Sequence, residues 1–490
     1  MLATREAAAA DPQIAEPQDT GLQTPLVLTL LTIAGAWLRL WHLGTKSLWL
    51  DEGATVALAR APWRHFAWIW WHGEANLQTI YFLLMRAWIH MGISEAWLRL
   101  PSALFGIASI PLLYVIARKF MEAELALAAS ALLAFSPTHV YYSQEARSYT
   151  LAILMVLLST FFFVRAVEQC QRRDWILWTL VSTAAFYCHD FATLVLVAQA
   201  CSLLFKPNSR RWRPLLIWGS IVFLLALPGL TYVFRASPEN LHFVWMPRPS
   251  LKGFWQLAGF FGGNGVKLAV AGILWTAGAV AIWRSAHCGP DVFWRRMLIL
   301  VWAVLPALIL AAISLRQPMF MQRYVIFSLP AMLLLAALGA GVLRKWRMGI
   351  VLVVLLCGMS IPAIIRRYHK PREDWRSASN VVLAKAGSGD AVVFFPFYTR
   401  IMLDYYRDRY PGAAPLVDVY EPGFYLGGKD VRDLLRALNT NPHRFQRVWT
   451  FVDGRGANDD YAATREKLLA TYGAPTVYQF ADVTLLEYGR

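Results

Sequence analysis

Long apolar runs alternate with short polar loops from residue 24 to residue 369. The first, Thr24 to Leu43, has about 20 residues, the length that crosses the hydrocarbon core of a bilayer as an α-helix. Further runs follow at 101–119, 123–140, 149–167, 175–188, 190–205, 214–234, 266–284, 294–315, 323–343 and 347–366, so the pattern predicts eleven spans. The first run lacks a small-residue cleavage site and is too long for a signal-peptide core, which marks a retained helix. Residues 1–23 are polar and rich in Ala, Gln and Pro, and read as a disordered cytoplasmic tail. Leu77 to Met91 is also apolar, but it has only about 15 residues and carries Arg86 and His90, which predicts an interfacial helix in the first outer loop, 44–100.

Basic residues set the sidedness. Arg118 with Lys119, Arg172 with Arg173, Lys206 through Arg213, Arg284 with Arg295 and Arg296, and Arg344 through Arg347 fall in alternate loops. The positive-inside rule assigns those loops to the cytoplasm, and the loops at 141–149, 189, 235–265, 316–322 and from 367 onward to the outside. A span at 77–91 would swap the sides of every later cluster. An odd number of spans leaves the N-terminus inside and the C-terminal segment outside.

That segment, 370–490, alternates β-type runs (Ala391–Phe395, Val448–Val452, Val477–Phe480) with helical patterns (Trp375–Lys385, Asp430–Leu438, Tyr461–Tyr472). The order predicts a small extracytoplasmic α/β domain with a partly parallel sheet. It holds no glycine-rich phosphate loop and no nucleophile elbow, so it reads as accessory. The fold class is thus an α-helical polytopic membrane protein of about 11 transmembrane helices, 24–369, with a C-terminal α/β domain.

Composition agrees and narrows the function. Hydrophobic residues make up 57% of the chain and charged residues 16%, against about 45–50% and about 25% in soluble domains. The net charge of +16 comes almost wholly from the membrane part: residues 370–490 hold 16 basic and 15 acidic residues, the rest 31 and 16. Basic residues placed in short loops set topology, so nucleic acid is not the expected partner. The five cysteines form no C-x-x-C or Cys/His ligand pattern, which argues against a disulfide framework or a zinc site.

Only twelve acidic residues lie between 24 and 369, and most sit in loops beside basic partners. Asp51, Glu52, Glu145 and Asp190 instead map to the outer ends of predicted spans, where a charge near hydrocarbon tends to mark a reaction site or pathway. Asp51 and Glu52 follow Trp49, and a partly desolvated carboxylate among interface aromatics is suited to take a proton from a hydroxyl. A surface Asp-Glu pair beside a tryptophan belt is the plainer alternative. Ser136 to Tyr149 is a dense polar cluster in which Glu145 and Arg147 read either as an ion pair closing a helix end or as part of a phosphate grip. His189-Asp190 is a weaker signal, since such pairs are commonly hydrogen-bonded turns. Arg316 and Arg323, with Tyr324, sit on the outer side against the positive-inside bias and invite an anionic partner, with snorkelling as the alternative.

These motifs resemble a family. Arg39-Leu40-Trp41-His42-Leu43, then Ser47-Leu48-Trp49-Leu50-Asp51-Glu52, is similar to the opening of bacterial membrane glycosyltransferases of the GT-C type, related to protein O-mannosyltransferases and the lipid A aminoarabinose transferase. Arg99-Leu100-Pro101-Ser102-Ala103-Leu104-Phe105-Gly106, Ser143 to Tyr149, and Arg323-Tyr324 with Ser328-Leu329-Pro330 resemble later family blocks, so the likeness covers about 24–370. Where many relatives carry His-Pro-Pro, this chain has Glu74-Ala75-Asn76-Leu77-Gln78-Thr79, in a loop expected to shape a substrate pocket.

The resemblance implies transfer of a sugar, hexose or pentose, from a polyprenyl-phosphate-linked donor to a lipid, glycan or protein acceptor. The reaction is placed at the outer face of a bacterial cytoplasmic membrane, with Asp51 as the base. Lipid phosphate is already a good leaving group, so the chemistry needs a base and cations where negative charge grows. Glu52 is then expected to orient Asp51 or bind the acceptor. Arg147, Arg323, Tyr149 and Tyr324 would hold the donor phosphate, with Glu145 setting Arg147. His189, Asp190 and Trp49 would support them. A divalent metal is a further option, with Asp51, Glu52 and Asp190 as oxygen donors, but nothing in the sequence fixes a coordination set. The rival class is a transporter or lipid flippase without covalent chemistry. Such proteins place charges near the bilayer midplane and often show internal repeats, and neither feature is evident here.

Overall fold

Every predicted span folds as helix, although not always as one straight rod. The computed structural model describes residues 23–72, 78–206, 212–235, 246–343, 347–370, 372–410, 417–418, 440–441, 444–454 and 459–489. Residues 1–22 of the predicted tail, the segment Glu74 to Leu77 and the predicted helix Asp430–Leu438 lie outside these residues.

Helix α1 (Gln23–Leu40) enters the membrane, and the segment between it and the next long helix folds into three short helices: α2 (Leu50–Arg60), α3 (Trp63–His72) and α4 (Thr79–Trp88). α4 has 10 residues, about 15 Å at the helical rise and half the hydrocarbon thickness, so it does not cross. The remaining helices of this part of the chain are α5 (Glu95–Ala117), α6 (Ala123–Ala134), α7 (Pro137–Ser143), α8 (Tyr149–Gln169), α9 (Arg172–Cys188), α10 (Thr193–Ser202), α11 (Trp212–Arg235), α12 (Leu251–Gly262), which lies in the predicted loop 235–265, α13 (Val266–Arg284), α14 (Pro290–Arg316), α15 (Leu329–Val342) and α16 (Met348–His369). Among the described residues eight helices are long and apolar enough to cross a membrane, or nine with α6 and α7 counted as one bent span. The predicted spans at 175–188 and 190–205 are the short ones, corresponding to α9 and to the apolar stretch Asp190–Phe205 around α10. Large apolar side chains such as Leu30, Leu216, Trp283 and Val354 face outward, as lipid contact requires. The protein is an integral membrane protein.

The bend between α6 and α7 is 56°, and its cause is local. Pro137 opens α7 and Ser136 caps it, accepting from His139 N. The freed carbonyls at the end of α6 are taken by the buried Arg39 of α1, which donates to Leu133 O and Ala134 O, both at 3.1 Å. The bend carries the polar residues after α7 to the start of α2.

The C-terminal domain comprises α17 (Trp375–Lys385), β1 (Ala391–Phe395), α18 (Arg400–Arg407), β2 (Val417–Asp418), β3 (Arg447–Asp453), α19 (Asp459–Tyr472), β4 (Thr476–Phe480) and β5 (Val483–Gly489). The strand order is β2-β1-β3-β5-β4. β1 runs parallel to β2 and β3, while β5 is antiparallel to β3 and β4, so the sheet is mixed, as the partly parallel expectation holds. β1 is buried throughout, whereas β4, at an edge, has no buried residue. α18 packs on α2, seating the domain on the segment between α1 and α5.

Candidate active site

The first turn of α2 carries both acids of the Asp-Glu motif, and they have opposite surroundings. Glu52 is fully buried. Arg99 grips it in two places, Nε donating to Oε1 at 2.8 Å and Nη2 to Oε2 at 2.7 Å. Ala146 N donates to Oε1 at 2.8 Å and Trp49 N to Oε2 at 3.3 Å. Arg99 also ties the carbonyls of Leu43, Lys46 and Ser47. This saturated pair joins α5, the loop before α2 and the loop before α8. Glu52, expected to orient Asp51 or bind the acceptor, has its lone pairs engaged in holding the loop that presents Asp51.

Asp51 is 28% exposed. Its Oδ2 lies 3.8 Å from Arg147 Nη2 and 3.7 Å from Arg323 Nη1, close enough for charge attraction and beyond hydrogen-bond length. Arg147 Nη1 donates to the Asp51 carbonyl at 3.3 Å. Nε of Arg147 and Nε of Arg323 are both buried without a hydrogen-bond partner. Two guanidinium groups with spare donors and one carboxylate therefore converge from α2, the 144–148 loop and the turn before α15.

Aromatic residues wall this cleft. Tyr149 meets Tyr142 edge-on with ring centroids 4.6 Å apart, and His189 packs against Tyr149 at 5.5 Å and Tyr324 at 6.2 Å. His189 Nδ1 is 2.9 Å from Asp190 Oδ1, so this pair braces the aromatic wall. Trp49 is buried, and one ring face is covered by the Arg372 guanidinium at 3.2 Å, which occupies a face a sugar would need.

Glu145 also departs from expectation. The tight turn in which Arg147 N donates to Glu145 O at 2.7 Å gives the two side chains different partners. Glu145 Oε1 accepts from Arg372 of the C-terminal segment at 2.9 Å, and Arg147 turns to Asp51. Burial pushes the Glu145 carboxyl up to about 7, with Arg372 opposing. A cavity of about 1020 Å³ opens beside these residues, lined by Trp49, Tyr149, Arg323, Lys46, Arg367 and Arg372 among others. Burial, with Arg99 alongside, brings Lys46 at its wall down to about 8. Among the described residues no group of three or more His, Cys, Asp and Glu side chains converges. Asp51, Glu52 and Asp190 therefore do not converge on one point.

Sequence reasoning found Asp51, Arg147, Arg323, Tyr149, Tyr324, His189 and Asp190 and the structure brings them together. It missed Arg99 as the partner of Glu52, and Arg372 with Glu373. The charged run Arg372-Glu373-Asp374 directly after the last span was the available signal.

Residues 79–232 match the family model for dolichyl-phosphate-mannose-protein mannosyltransferase. No curated protein matches the chain. Among solved structures, the chain resembles ArnT from Cupriavidus metallidurans bound to undecaprenyl phosphate, with 13% identity, 94% of this chain and 97% of that chain covered and a TM-score of 0.59. It also resembles the archaeal oligosaccharyltransferase AglB from Archaeoglobus fulgidus, in complex with an inhibitory peptide and a dolichol-phosphate. There the identity is 12%, 96% of this chain and 75% of that chain are covered, and the TM-score is 0.55. The chain has the fold of the GT-C membrane glycosyltransferases, the superfamily its motifs resemble.

Proposed function

We propose that the protein is an inverting glycosyltransferase that moves a sugar from a polyprenyl-phosphate-linked donor to an acceptor at the outer face of a bacterial cytoplasmic membrane. The observation that carries this reading is the carboxylate of Asp51 held 3.7–3.8 Å from two guanidinium groups that keep unused buried donors. A lipid phosphate is the ligand this cation pair suits, and the carboxylate beside it is placed to serve a hydroxyl. The ArnT and AglB structures were determined with undecaprenyl phosphate and dolichol-phosphate, which supports a lipid-phosphate donor.

In the mechanism, Asp51 takes the proton of the acceptor hydroxyl as its oxygen attacks the anomeric carbon. The bond to the phosphate oxygen breaks, and the phosphate leaves as an anion stabilised by Arg147 and Arg323. A single displacement inverts the anomeric centre. Tyr149 and Tyr324, braced by His189, shape the wall around the leaving group.

The test is consumption of radiolabelled polyprenyl-phospho-sugars in proteoliposomes. The wild type should consume one donor of the panel, and Asp51→Asn should lose at least ~100-fold in rate while folding normally, the low end for a general base. Equal turnover by the two proteins would remove Asp51 as base. Consumption of no donor by the wild type would overturn the transferase reading in favour of a transporter or flippase.

A further inference from the structure

The helix that carries Asp51 begins badly by its own sequence. Trp49 occupies the N-cap position of α2, where Ser, Thr, Asp or Asn would accept a bond from the first free amides and an indole does not. Two carboxylates, one in the helix's own first turn and one from far along the chain, accept from amides there instead. Glu52 takes Trp49 N, and Glu373, which is 323 residues away in the chain, takes Leu50 N at 2.9 Å. Glu373 is itself buried and held by Trp375 Nε1 at 2.8 Å. Its negative charge sits at the positive end of the α2 dipole.

The neighbours of Glu373 grip the same place. Arg372 covers the Trp49 ring at 3.2 Å and donates to Tyr141 OH at 2.8 Å and Glu145 Oε1 at 2.9 Å, tying the cap residue of α2 to the loop that bears Arg147. Arg376 donates to the carbonyls of Gly44, Thr45 and Lys46 and pairs with the buried Glu95, while its amide donates to Ser47 Oγ. Farther along, Met402 of α18 lies against Gly53, where a Cβ would strike its sulfur. A larger residue at position 53 would have to displace the Met402 side chain.

We propose that residues 372–376 form a clamp, supplied by the C-terminal domain, that sets the position of Asp51 against Arg147 and Arg323. Arg372 and Glu373 are its positioning residues. The role in catalysis rests on the transferase reading above; the clamp itself does not. The domain is then part of the reaction centre's framework and not an accessory appendage.

The test uses full-length protein in proteoliposomes and two readouts. Arg372→Ala and Glu373→Ala should speed hydrogen exchange of the amides at Trp49 to Gly53 by ~tenfold or more, while Glu466→Ala on the exposed face of α19 leaves them unchanged. With the donor that the wild type consumes, both alanine variants should lower kcat about tenfold or more with donor KM within about twofold, since a small misplacement of a reacting group costs rate rather than ground-state binding. Glu373→Gln, which keeps an acceptor oxygen for Leu50 N, should stay within about threefold of the wild-type kcat. Unchanged exchange in both alanine variants overturns the clamp whatever the turnover. Faster exchange with an unchanged kcat, or a loss confined to KM, overturns its role in positioning Asp51. A wild type that consumes no donor overturns the transferase reading and the catalytic part of the inference, while exchange still decides the clamp.

Discussion

The first turn of α2 sets two adjacent carboxylates in contrasting regions. On the Glu52 side the charge is wholly buried, matched by a two-pronged arginine and two backbone amides. On the Asp51 side the carboxylate is partly open and stands just outside hydrogen-bond reach of two arginines. The first arrangement uses up every acceptor and joins three segments of chain; the second leaves lone pairs free while cations wait beside them. Burial with exact partners makes an anchor, and incomplete pairing leaves capacity for chemistry. The same residue class thus serves two ends within one helical turn.

The largest expected effect lies on the anchor side. Arg99→Ala leaves Glu52 charged, buried and without its main partner, and should destabilise the protein by about 3–5 kcal/mol, read as a lowered melting temperature in detergent. A melting temperature within error of the wild type would break the contrast, because Glu52 would then be no anchor. Next come the cations of the open side. Arg147→Ala and Arg323→Ala should each lower kcat by ~10²–10³, the cost of removing one donor to a developing anion, with melting temperature little changed for the more exposed Arg323. A loss seen only in donor KM would reassign both to ground-state binding.

The smallest effect concerns Glu145, which sharpens the comparison because it stands between the two cases. Burial raises its carboxyl from 4.5 to about 7, so folding favours the neutral form. That contribution is complete below the unfolded value and is lost as pH rises through about 7. Relative to the wild type, Glu145→Gln should therefore gain melting temperature between about pH 5.5 and about pH 8. A difference that does not change with pH would show that Glu145 does not titrate in this range.

Much of this was legible in the sequence because lipid imposes a strong pattern. Apolar runs gave every span, and acids and arginines at one set of ends of those runs gave Asp51, Arg147 and Arg323. The physics that hid the rest is long-range pairing. Arg99 reads as one polar residue in an apolar block, and its partner 47 residues earlier is visible only once α5 packs beside α2. Glu145 and Arg147 are two residues apart, and the nearest charge seemed the natural partner; the turn between them gave Glu145 to Arg372, 227 residues on. The helices α2, α3 and α4 between α1 and α5 are short and carry mixed patterns, so periodicity marks only the most apolar, α4. Strand β5 was missed while β4 was found, because a seven-residue strand following a tight turn has no separate boundary signal.

The most direct test of the central claim compares Asp51→Asn and Glu52→Gln side by side in proteoliposomes, with donor turnover expressed per folded molecule. The account predicts that Asp51→Asn keeps its melting temperature and loses at least ~100-fold in rate. It predicts that Glu52→Gln loses melting temperature but stays within about tenfold of wild-type turnover per folded molecule. The reverse order, with Glu52 carrying the rate and Asp51 the stability, would contradict it.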